Sequence, residues 1–359
     1  MEPCTSDSSC DSDNLPSEKT LDYAHLMLDS STLSCNLEQV KSANKKAIKD
    51  IEILLLQNNR LRSLPPNIDI LSSLRVLDVS SNGLTHIPEE IAVCPLVTFA
   101  AKNNALEDES LPKSLSTMKT LKEINLSGNR LTAFPPQILE LSNVKYLYLG
   151  GNQITCVPRD IWKLISLQVL YIGGNQLTEV PVTVGKLGNL QALVLSDNQL
   201  ESLPASIANL KHLRSLLLHK NRLRTLPPEI VGLKCLAELS LRDNPLVVRF
   251  VNTMSLNPPS LLEHAGRVIK LHNISYNPED LPHHLVEYLG SAHHCVNPKC
   301  QGVYFDNRVE HIKFVDFCGK YRIPLLQYLC SSKCIQGTQE DGQACCSANP
   351  SMIQKVLLG

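Results

Sequence analysis

The sequence predicts an α/β solenoid, a coil of stacked turns whose short strands form one parallel concave sheet, followed by a small helical segment and a cysteine-rich α+β tail. One pattern, L-x-x-L-x-L-x-x-N-x-L, recurs nine times between about residues 51 and 250. Aromatic residues make up only 4% of the 359 residues, while Leu is abundant, which suits stacked Leu-lined layers. A chain of this length also exceeds one ordinary compact core, so a repeat array or several domains is expected.

An Asn defines the register of each repeat. The nine positions are Asn59, Asn82, Asn104, Asn129, Asn152, Asn175, Asn198, Asn221 and Asn244. Most intervals are 23 residues; those on either side of Asn104 are 22 and 25, and Ala101 stands where Leu is expected. The L-x-L segment alternates with a period of two, so its Leu side chains point to one side of a strand and fill the interior.

The residues that follow each strand predict how the turn closes. The side-chain amide of each Asn can satisfy backbone groups of the inward bend, so stacked turns predict an Asn ladder. A later Pro, as at Pro65, lacks an N–H and holds the residue before it in extended geometry. The outer segment, such as residues 207–210, is predicted as a short helix or irregular turn. These nine copies resemble the leucine-rich-repeat family, which implies a horseshoe-shaped solenoid.

The N-terminal residues indicate the cellular compartment. Residues 1–32 are acidic and Ser-rich and are predicted to be a disordered tail, with residues 33–50 as an N-terminal capping helix. The tail has no apolar secretory core, and no stretch reaches the roughly 18 apolar residues of a membrane span. We expect a cytoplasmic protein, with the nucleus as an alternative, whose 13 cysteines are reduced thiols or metal ligands.

The formal net charge of −1 argues against general nucleic-acid binding.

The resemblance places the residues two, four and six positions before each Asn on the concave face. In the middle repeats these positions become apolar and aromatic, with two glycines among them. The residues predicted to bind a substrate protein are Tyr146, Tyr148, Val169, Tyr171, Val194, Leu217 and His219. Aromatic rings beside open space have the chemistry of binding hot spots, although Tyr and Val are also simply good strand formers. No grouping of catalytic residues lies at these positions, so the chain is not expected to be an enzyme.

The repeat pattern stops at Leu246, and residues 255–290 are predicted to form two helices. The Asn-Pro-Pro at 257–259 is a helix-start signal. Ser260 followed by Glu263 predicts a capping box, in which the Ser hydroxyl caps one free N–H and the Glu carboxylate reaches back to another. The helix that follows is predicted to place Leu261, Ala265 and Ile269 on one face.

Residues 260–269 resemble the elongin-binding box of cullin-RING ubiquitin-ligase receptors. That motif reads small or hydroxyl, Leu, three residues, Cys, Ser or Ala, three residues, aliphatic. The residues that satisfy it, and that the resemblance implies bind elongin C, are Ser260, Leu261, Ala265 and Ile269. The implied contact is a helix laid into a groove, with Leu261 as the inserted anchor.

A second segment, D-L-P-H-H-L-V-E-Y-L at 280–289, resembles the cullin box that follows the elongin box and completes a SOCS-box-like region. The residues implied to contact a cullin are Leu281, Pro282, Leu285, Tyr288 and Leu289. A second Pro typical of the cullin 5 form is missing, and the looser cullin 2 form fits, so cullin 2 and cullin 5 both stay open. Alternatively, the two helices only cap the open end of the array.

Residues 291–336 form a Cys-rich segment that resembles a zinc knuckle or ribbon. Two thiol pairs flank two predicted short strands, at 303–305 and 312–315, and the residues predicted to hold a structural Zn²⁺ are Cys295, Cys300, Cys330 and Cys334. Cys318, His293 and His294 are substitute ligands, and free, partly buried cysteines are the alternative. Residues 337–359 are predicted to be a flexible C-terminal tail.

These resemblances imply a substrate-recognition adaptor of an elongin-BC cullin-RING E3 ubiquitin ligase. Its expected partners are elongin B/C, cullin 2 or cullin 5, and an unidentified protein substrate held on the concave face. No nucleic-acid or membrane partner is expected. The alternative is an intracellular protein-binding scaffold or a regulator of phosphatase or GTPase signalling, which would bind no elongin or cullin. An enzyme centred on the zinc is a third hypothesis.

Overall fold

The computed structural model describes residues 19–43, 47–246, 259–277, 279, 281–297, 300–317, 321–336 and 355–357. The described residues fall in two compact units, one within 1–154 and 163–172, the other within 155–162 and 173–359. The predicted repeat solenoid is confirmed, because each unit contains repeat turns whose strands pair in parallel.

The described strands of the first unit pair in chain order, each with the next. They are β1 (Thr20–Asp22), β2 (Ile53–Leu55), β3 (Val76–Asp78), β4 (Thr98–Ala100), β5 (Glu123–Asn125), β6 (Tyr146–Tyr148) and β7 (Val169–Tyr171). The middle residue of each repeat strand is buried, as with Leu54 opposite Leu77 and Leu77 opposite Phe99. Because side chains alternate along a strand, the flanking residues face outward, as the L-x-L pattern predicts.

The outer segments are short 3₁₀ helices, which confirms the predicted short helices. Most begin directly after a Pro in extended conformation, such as Pro181 and Pro204, which fixes the entry to the helix. Their bounds are Pro66–Ile70, Glu89–Val93, Lys113–Thr117, Pro136–Glu140, Arg159–Lys163, Val182–Lys186, Ala205–Asn209 and Pro228–Gly232.

The residue before each ladder Asn adopts a left-handed backbone conformation. These residues are Asn58, Ser81, Asn103, Gly128, Gly151, Gly174, Asp197, Lys220 and Asp243, with φ between 53° and 69°. This conformation suits Gly and, among other residues, Asn and Asp, whose short polar side chains tolerate it. Lys220 is the long, unbranched exception.

The N-terminal end corrects the predicted boundary of the tail. Residues 1–32 are predicted to be disordered, but β1 pairs with β2, and α1 (Ser30–Ala43) begins three residues before position 33. The Asp29 carboxylate accepts hydrogen bonds from the Thr32 N–H (2.8 Å) and the Ser31 hydroxyl (2.8 Å), so it caps α1. A 3₁₀ helix, Ala47–Asp50, follows α1.

The ladder reaches into this N-terminal segment. Asn59 Oδ1 accepts from the Leu28 N–H at 2.9 Å, and Asn59 Nδ2 donates to the Tyr23 carbonyl at 2.7 Å. The residues from β1 to α1 therefore supply the backbone groups that a preceding repeat would supply to this Asn.

The second unit contains the repeat strands β8 (Ala192–Val194), β9 (Ser215–Leu217) and β10 (Glu238–Ser240), which pair in parallel. The described residues within 259–336, here called the C-terminal module, follow the repeats. The helices and strands of this module are α2 (Leu261–Leu271), α3 (His283–Gly290), β11 (His293–His294), β12 (Val303–Tyr304), β13 (Val309–Phe317), β14 (Tyr321–Leu329) and α4 (Lys333–Gln336).

The strand pairing of the module differs from the prediction. The segments 303–305 and 312–315 are predicted as two short strands between the thiol pairs, but they do not pair with each other. Strand β12 pairs with β11, and β13 forms a separate antiparallel pair with β14, which we call the hairpin; each of its strands has nine residues. The hairpin is joined to a repeat by two backbone hydrogen bonds: Leu226 N–H donates to the Pro324 carbonyl (3.0 Å) and Leu326 N–H donates to the Leu226 carbonyl (2.9 Å).

The C-terminal residues correct the prediction of a flexible tail over 337–359 at one place. Residues 355–357 form β15 (Lys355–Leu357), which pairs in parallel with β10, with Leu239 opposite Val356. Residues 337–354 and 358–359 lie outside the described part of the chain.

Candidate functional site

The Asn ladder fixes the backbone on which the strand-face residues stand. Asn152 donates through Nδ2 to the carbonyls of Leu126 (3.0 Å) and Leu149 (2.9 Å), and its Oδ1 accepts from the Leu131 N–H (3.1 Å). Its side chain is 7% exposed, so each of these groups would lack water if the Asn were removed. The strand faces are therefore rigid surfaces rather than mobile loops.

Four of the residues predicted to bind a substrate lie together in the first unit, on β6 and β7; we call Tyr146, Tyr148, Val169 and Tyr171 the tyrosine face. Tyr146 lies opposite Val169 and Tyr148 opposite Tyr171 in the sheet register. The Tyr148 and Tyr171 ring centroids are 6.4 Å apart, and Tyr171 is 39% exposed. Desolvation, and then the Glu123 carboxylate, raise the pKa of Tyr148, so its hydroxyl stays protonated and available as a donor.

The other three predicted residues lie on the strands of the second unit. Val194 is only 8% exposed and packs beside Gly173, so the prediction that it binds a partner is corrected: it is a core residue. Leu217 is half-buried, and the half-buried His219 ring lies 3.2 Å from the Ser240 hydroxyl. Leu217 and His219 keep surface available for contact.

Helix α2 exposes its apolar side. Leu261 is 86% exposed, Leu262 47% and Val268 49%. Together with the exposed Ala265 and the half-buried Ile269, these residues form what we call the outer face of α2. An ordinary surface helix buries its apolar stripe and exposes its polar one, so this arrangement is reversed.

The side of α2 that packs against the module is polar. Glu263 is 1% exposed, and its carboxylate accepts from the backbone N–H groups of Phe305 (3.0 Å), Asp306 (3.1 Å) and Asn307 (3.1 Å). The Arg267 guanidinium donates to the same carboxylate at 2.7 and 2.9 Å. These charge-assisted bonds hold α2 on the turn after β12.

The predicted capping box is confirmed for Ser260 but not for Glu263. The Ser260 hydroxyl accepts from the Glu263 N–H at 3.1 Å, as predicted. The Glu263 carboxylate does not reach back to the start of the helix, because the three N–H groups of residues 305–307 and Arg267 occupy it. Desolvation alone would raise the pKa of Glu263, but the hydrogen bonds from Phe305, Arg267 and Asn307 outweigh it and lower the pKa.

A close backbone approach completes the contact between α2 and the module. A Cβ atom on Gly266 would lie 2.9 Å from the Phe305 ring, so only Gly allows this packing. The Phe305 ring stacks on Tyr288 of α3 with centroids 4.5 Å apart. Desolvation, and then the charge of Glu263, raise the pKa of Tyr288 to about 12.

Helix α3 corrects part of the predicted cullin contact. Leu289 is 4% exposed and therefore packs inside the module, and Tyr288 is occupied by Phe305 and by Glu263, 3.3 Å from its hydroxyl. Leu289 is therefore not available to a partner, whereas Tyr288 is half-buried and keeps part of its surface. Leu281 and Leu285 are half-buried and Pro282 is exposed, so these three keep accessible surface.

The four predicted thiol ligands lie together. The sulfur atoms of Cys295, Cys300, Cys330 and Cys334 all lie within 4.8 Å of one another. The Sγ atoms of Cys300 and Cys330 are 3.5 Å apart, and those of Cys330 and Cys334 are 3.6 Å apart. Zn–S bonds of about 2.3 Å in a tetrahedron place sulfurs roughly 3.8 Å apart, so this cluster fits a tetrathiolate metal site.

The two histidines predicted as substitute ligands are not part of this cluster. His293 and His294 are exposed on β11, and the His293 ring stacks on Tyr304 with centroids 5.6 Å apart. Among the described residues the metal-type cluster contains only the four cysteines. Cys318 lies outside the described residues.

Sequence reasoning missed the residues that support the thiol cluster. Gly302 donates its N–H to Cys300 Sγ at 3.3 Å, and a Cβ atom there would lie 2.5 Å from Cys330 Sγ. The buried Asn297 donates through Nδ2 to the Cys334 carbonyl at 2.9 Å. A Gly two residues after a Cys is a weak signal that could have suggested this role. Nothing local marks Asn297 or Arg267, and the local pattern marks Glu263 only for the capping box.

Comparisons with known proteins agree with the repeat geometry. Leucine-rich-repeat family models match residues 119–177 and 181–246, and a second such model matches 73–94. Leucine-rich repeat-containing protein 58 of Xenopus laevis is 60% identical over 349 residues, covering 95% of this chain and 97% of that protein. The Homo sapiens protein of the same name is 63% identical over 320 residues, covering 88% of this chain and 86% of that protein.

Solved structures also include similar repeat proteins. A leucine-rich-repeat protein of Leptospira interrogans is 32% identical, with a TM-score of 0.42, and the match covers 56% of this chain and 63% of that one. Within the described part of this chain, the helices are all too short or too polar to cross a membrane.

Proposed function

The chain belongs to the leucine-rich repeat-containing protein 58 family, and from this premise we propose that it is the substrate-recognition adaptor of an elongin-BC cullin-RING E3 ubiquitin ligase. Its repeat fold is a protein-interaction fold. In the proposed complex, α2 binds elongin C, cullin 2 or cullin 5 follows, and the repeats hold the target protein. Ubiquitin transfer takes place on other subunits, so this chain needs no active site.

The observation that carries the proposal is the outer face of α2. Leu261 is 86% exposed at the first turn of the helix, with Leu262, Ala265 and Val268 beside it. Moving one such Leu side chain from water into an apolar groove stabilises a complex by about 1.5–3 kcal/mol. A helix that presents an apolar stripe is the helix-in-groove mode of recognition.

The alternative that α2 only caps the repeats accounts less well for its orientation. A capping helix would turn its apolar side inward and leave its charges in water. In this module the inward side is occupied by Glu263 and Arg267, whose charges are satisfied by backbone groups and by each other. This orientation supports a second protein as the natural cover of Leu261.

The proposed cullin contact is narrower than the sequence predicts. It uses Leu281, Pro282 and Leu285, which keep accessible surface at the start of α3. Tyr288 and Leu289 instead hold α3 in the module. The choice between cullin 2 and cullin 5 rests on these few residues together with groups on the cullin.

The substrate is proposed to bind on the strand faces of the repeats. On the tyrosine face, rings with one apolar side and one hydroxyl can contact a target that offers both apolar and polar groups. Leu217 and His219, on the strands of the second unit, are proposed as a contact of their own. The target protein is identified only by this mixed chemistry.

The test replaces Leu261→Asp in the full chain and measures capture of purified elongin B/C. We expect the substitution to lower the recovered elongin by more than about tenfold, which corresponds to roughly 1.4 kcal/mol. Val182→Asp is the matched control, because Val182 is also apolar and is 66% exposed on the 3₁₀ helix of a repeat. It should leave the capture unchanged.

Thermal unfolding of both variants checks that the repeats stay folded. If a folded Leu261→Asp chain captures as much elongin B/C as the unsubstituted chain, the adaptor proposal is wrong. If the unsubstituted chain binds no elongin B/C at all, the scaffold or signalling-regulator alternative takes its place.

A further inference from the structure

We propose that Cys295, Cys300, Cys330 and Cys334 bind one Zn²⁺ as four thiolates, and that this ion holds α2 in the position from which its outer face can dock. The first part stands on the thiol cluster alone. The second part rests on the proposed function, since it concerns the helix assigned to elongin binding.

The chemistry of the ligands selects the metal. Four sulfur donors in a tetrahedral arrangement favour Zn²⁺ among the divalent ions available to an intracellular protein, with an iron–sulfur centre as the competing use of four thiolates. All four positions are filled by side chains, so no position is left for a reacting water, and the site is structural rather than catalytic.

The backbone around the thiols suits bound anions. The Gly302 N–H points at Cys300 Sγ, and the Cys330 N–H points at Cys295 Sγ at 3.5 Å. Such donors stabilise the negative charge that remains on thiolates around a divalent ion.

The core beside the thiols is too small to hold this region by itself. Among the described residues it consists of Val309 and Leu329 with the buried Cys295 and Cys334, and the partly buried apolar residues that pack against it are Ile335 and the other two cysteines. Small modules of this kind usually need a metal or disulfides to stay folded. The geometry points to the metal, because the Cys330 sulfur contacts those of both Cys300 and Cys334 and all four sulfurs lie within 4.8 Å of one another, rather than forming separate pairs.

A short chain of hydrogen bonds links the thiol cluster to α2. Arg267 Nη1 donates to the carbonyl of Cys330 at 2.8 Å, and Arg267 also holds Glu263. Glu263 in turn accepts from the N–H groups of residues 305–307, which follow the ligand turn at Cys300–Gly302. Both segments that carry ligands are thus the segments that position α2, so loss of the ion should release the helix.

The first measurement is the metal content of the purified full chain. We expect about one zinc per chain, and Co²⁺ exchanged into the site should show the strong thiolate-to-metal absorption of a four-sulfur site. The Cys300→Ser, Cys330→Ser double variant should lose the metal. The matched control is Cys156→Ser with Cys235→Ser, two exposed cysteines of the repeats.

Gly302→Ala keeps all four ligands and guards against a result caused by misfolding. Its Cβ atom would crowd Cys330 Sγ, so zinc affinity measured against a chelator should fall by about 10–100-fold, as for other groups that support metal ligands. An unsubstituted chain that carries no zinc, binds no Co²⁺, or holds these cysteines as disulfides would overturn the site. Zinc retained by the Cys300→Ser, Cys330→Ser variant would overturn it as well.

The second measurement is amide hydrogen exchange over residues 261–271 with and without the metal. We expect exchange in α2 to become at least about tenfold faster when zinc is removed, while exchange in the repeat strands β8–β10 stays unchanged. Unchanged protection of α2 after zinc removal would overturn the coupling. Elongin B/C capture then separates the two proposals: if the zinc-loaded chain shows a protected α2 but captures no elongin, the metal-held helix stands and the adaptor function fails.

Discussion

At the scale of single residues, the stability of the C-terminal module depends strongly on Glu263. Its carboxylate is 1% exposed and joins three segments of the chain: α2, the turn at residues 305–307, and the Tyr288 hydroxyl. Removing one partner of a buried ion pair is strongly destabilising, because the other charge is left without compensation. The remaining charge here would be Arg267.

Glu263→Gln should therefore lower the free energy of unfolding of the module by about 3 kcal/mol. Amide exchange of α2 measures this change. Glu287→Gln is the matched control, since Glu287 contacts His283 on α3 with 70% of its own side chain exposed. That exposed pair should contribute within about 0.5 kcal/mol. Equal effects of the two substitutions would contradict the assignment.

The pH dependence gives a second readout of the same group. The pKa of Glu263 is lowered in the folded chain from its ordinary 4.5, so folding favours the ionised form. Its contribution is fully present above the ordinary value and is lost as the pH falls through the lowered one. The unsubstituted module should lose protection below about pH 4.5. Glu263→Gln should lose less over that range, and identical pH slopes would count against this role.

Lys220 is a second residue that gives a testable prediction, because its backbone conformation disfavours side chains other than Gly. Its φ of 55° is left-handed, whereas three of the equivalent positions carry Gly. Lys220→Gly should raise the unfolding free energy by about 0.5–1 kcal/mol, because Gly enters this region without strain. Lys220→Val should lower it, since a branched side chain fits worst there. Thermal unfolding of the two variants measures this difference. If Lys220→Val were more stable than Lys220→Gly, backbone strain at this position would be excluded.

At the scale of elements, β1 acts as the end cap of the parallel sheet. It covers the edge of β2, and the residues that follow it supply Asn59 with the carbonyl of Tyr23 and the N–H of Leu28, groups that a preceding repeat would supply. An uncovered strand edge invites pairing with other chains. The segment before α1 is therefore part of the solenoid rather than of the acidic tail.

The capping role of residues 19–28 is tested by comparing a chain that starts at Lys19 with one that starts at Asp29. The shorter chain loses several backbone hydrogen bonds, among them Tyr23 N–H to the Leu55 carbonyl and His25 N–H to the Gln57 carbonyl. At about 1 kcal/mol each, these two bonds alone amount to roughly 2 kcal/mol, so the loss should be at least that large and should speed amide exchange in β2. Both chains lack the same preceding residues, so the difference belongs to 19–28. No change in β2 would show that the cap is dispensable.

Helix α2 shows why element-level reasoning alone was incomplete. Its apolar positions predict the helix and the shared face of Leu261 and Ala265, but not the direction in which that face points. The direction is set by Glu263, whose backbone partners are 42 to 44 residues further along the chain. A contact of that separation leaves no local pattern.

At the scale of the whole molecule, the structure of the nine repeats can be predicted from the sequence. In the C-terminal module only the four cysteines of the proposed metal site can be. Nine repeats impose one register, so the buried Leu and the Asn ladder follow from the spacing alone. The four cysteines were predicted because sulfur pairs are rare and chemically distinctive. Gly302 and the pairing of β12 with β11 were not, since they depend on how the chain folds back between the pairs.

Val194 and Leu289 show the converse case, in which the sequence predicts a contact residue and the structure buries it. Both have the right residue type for a contact surface, and both are buried, at 8% and 4% exposure. Residue type and spacing show which side chains share a face but not which of them the neighbouring segments cover. Partner surfaces in this chain can therefore be assigned only after packing is known.

The polar anchoring of α2 also bears on how fast and how tightly a partner can associate. A helix held by Glu263 and Arg267 keeps its shape and orientation before any partner arrives, so no ordering entropy opposes its capture. Association is then expected to resemble the meeting of two preformed surfaces rather than folding upon binding.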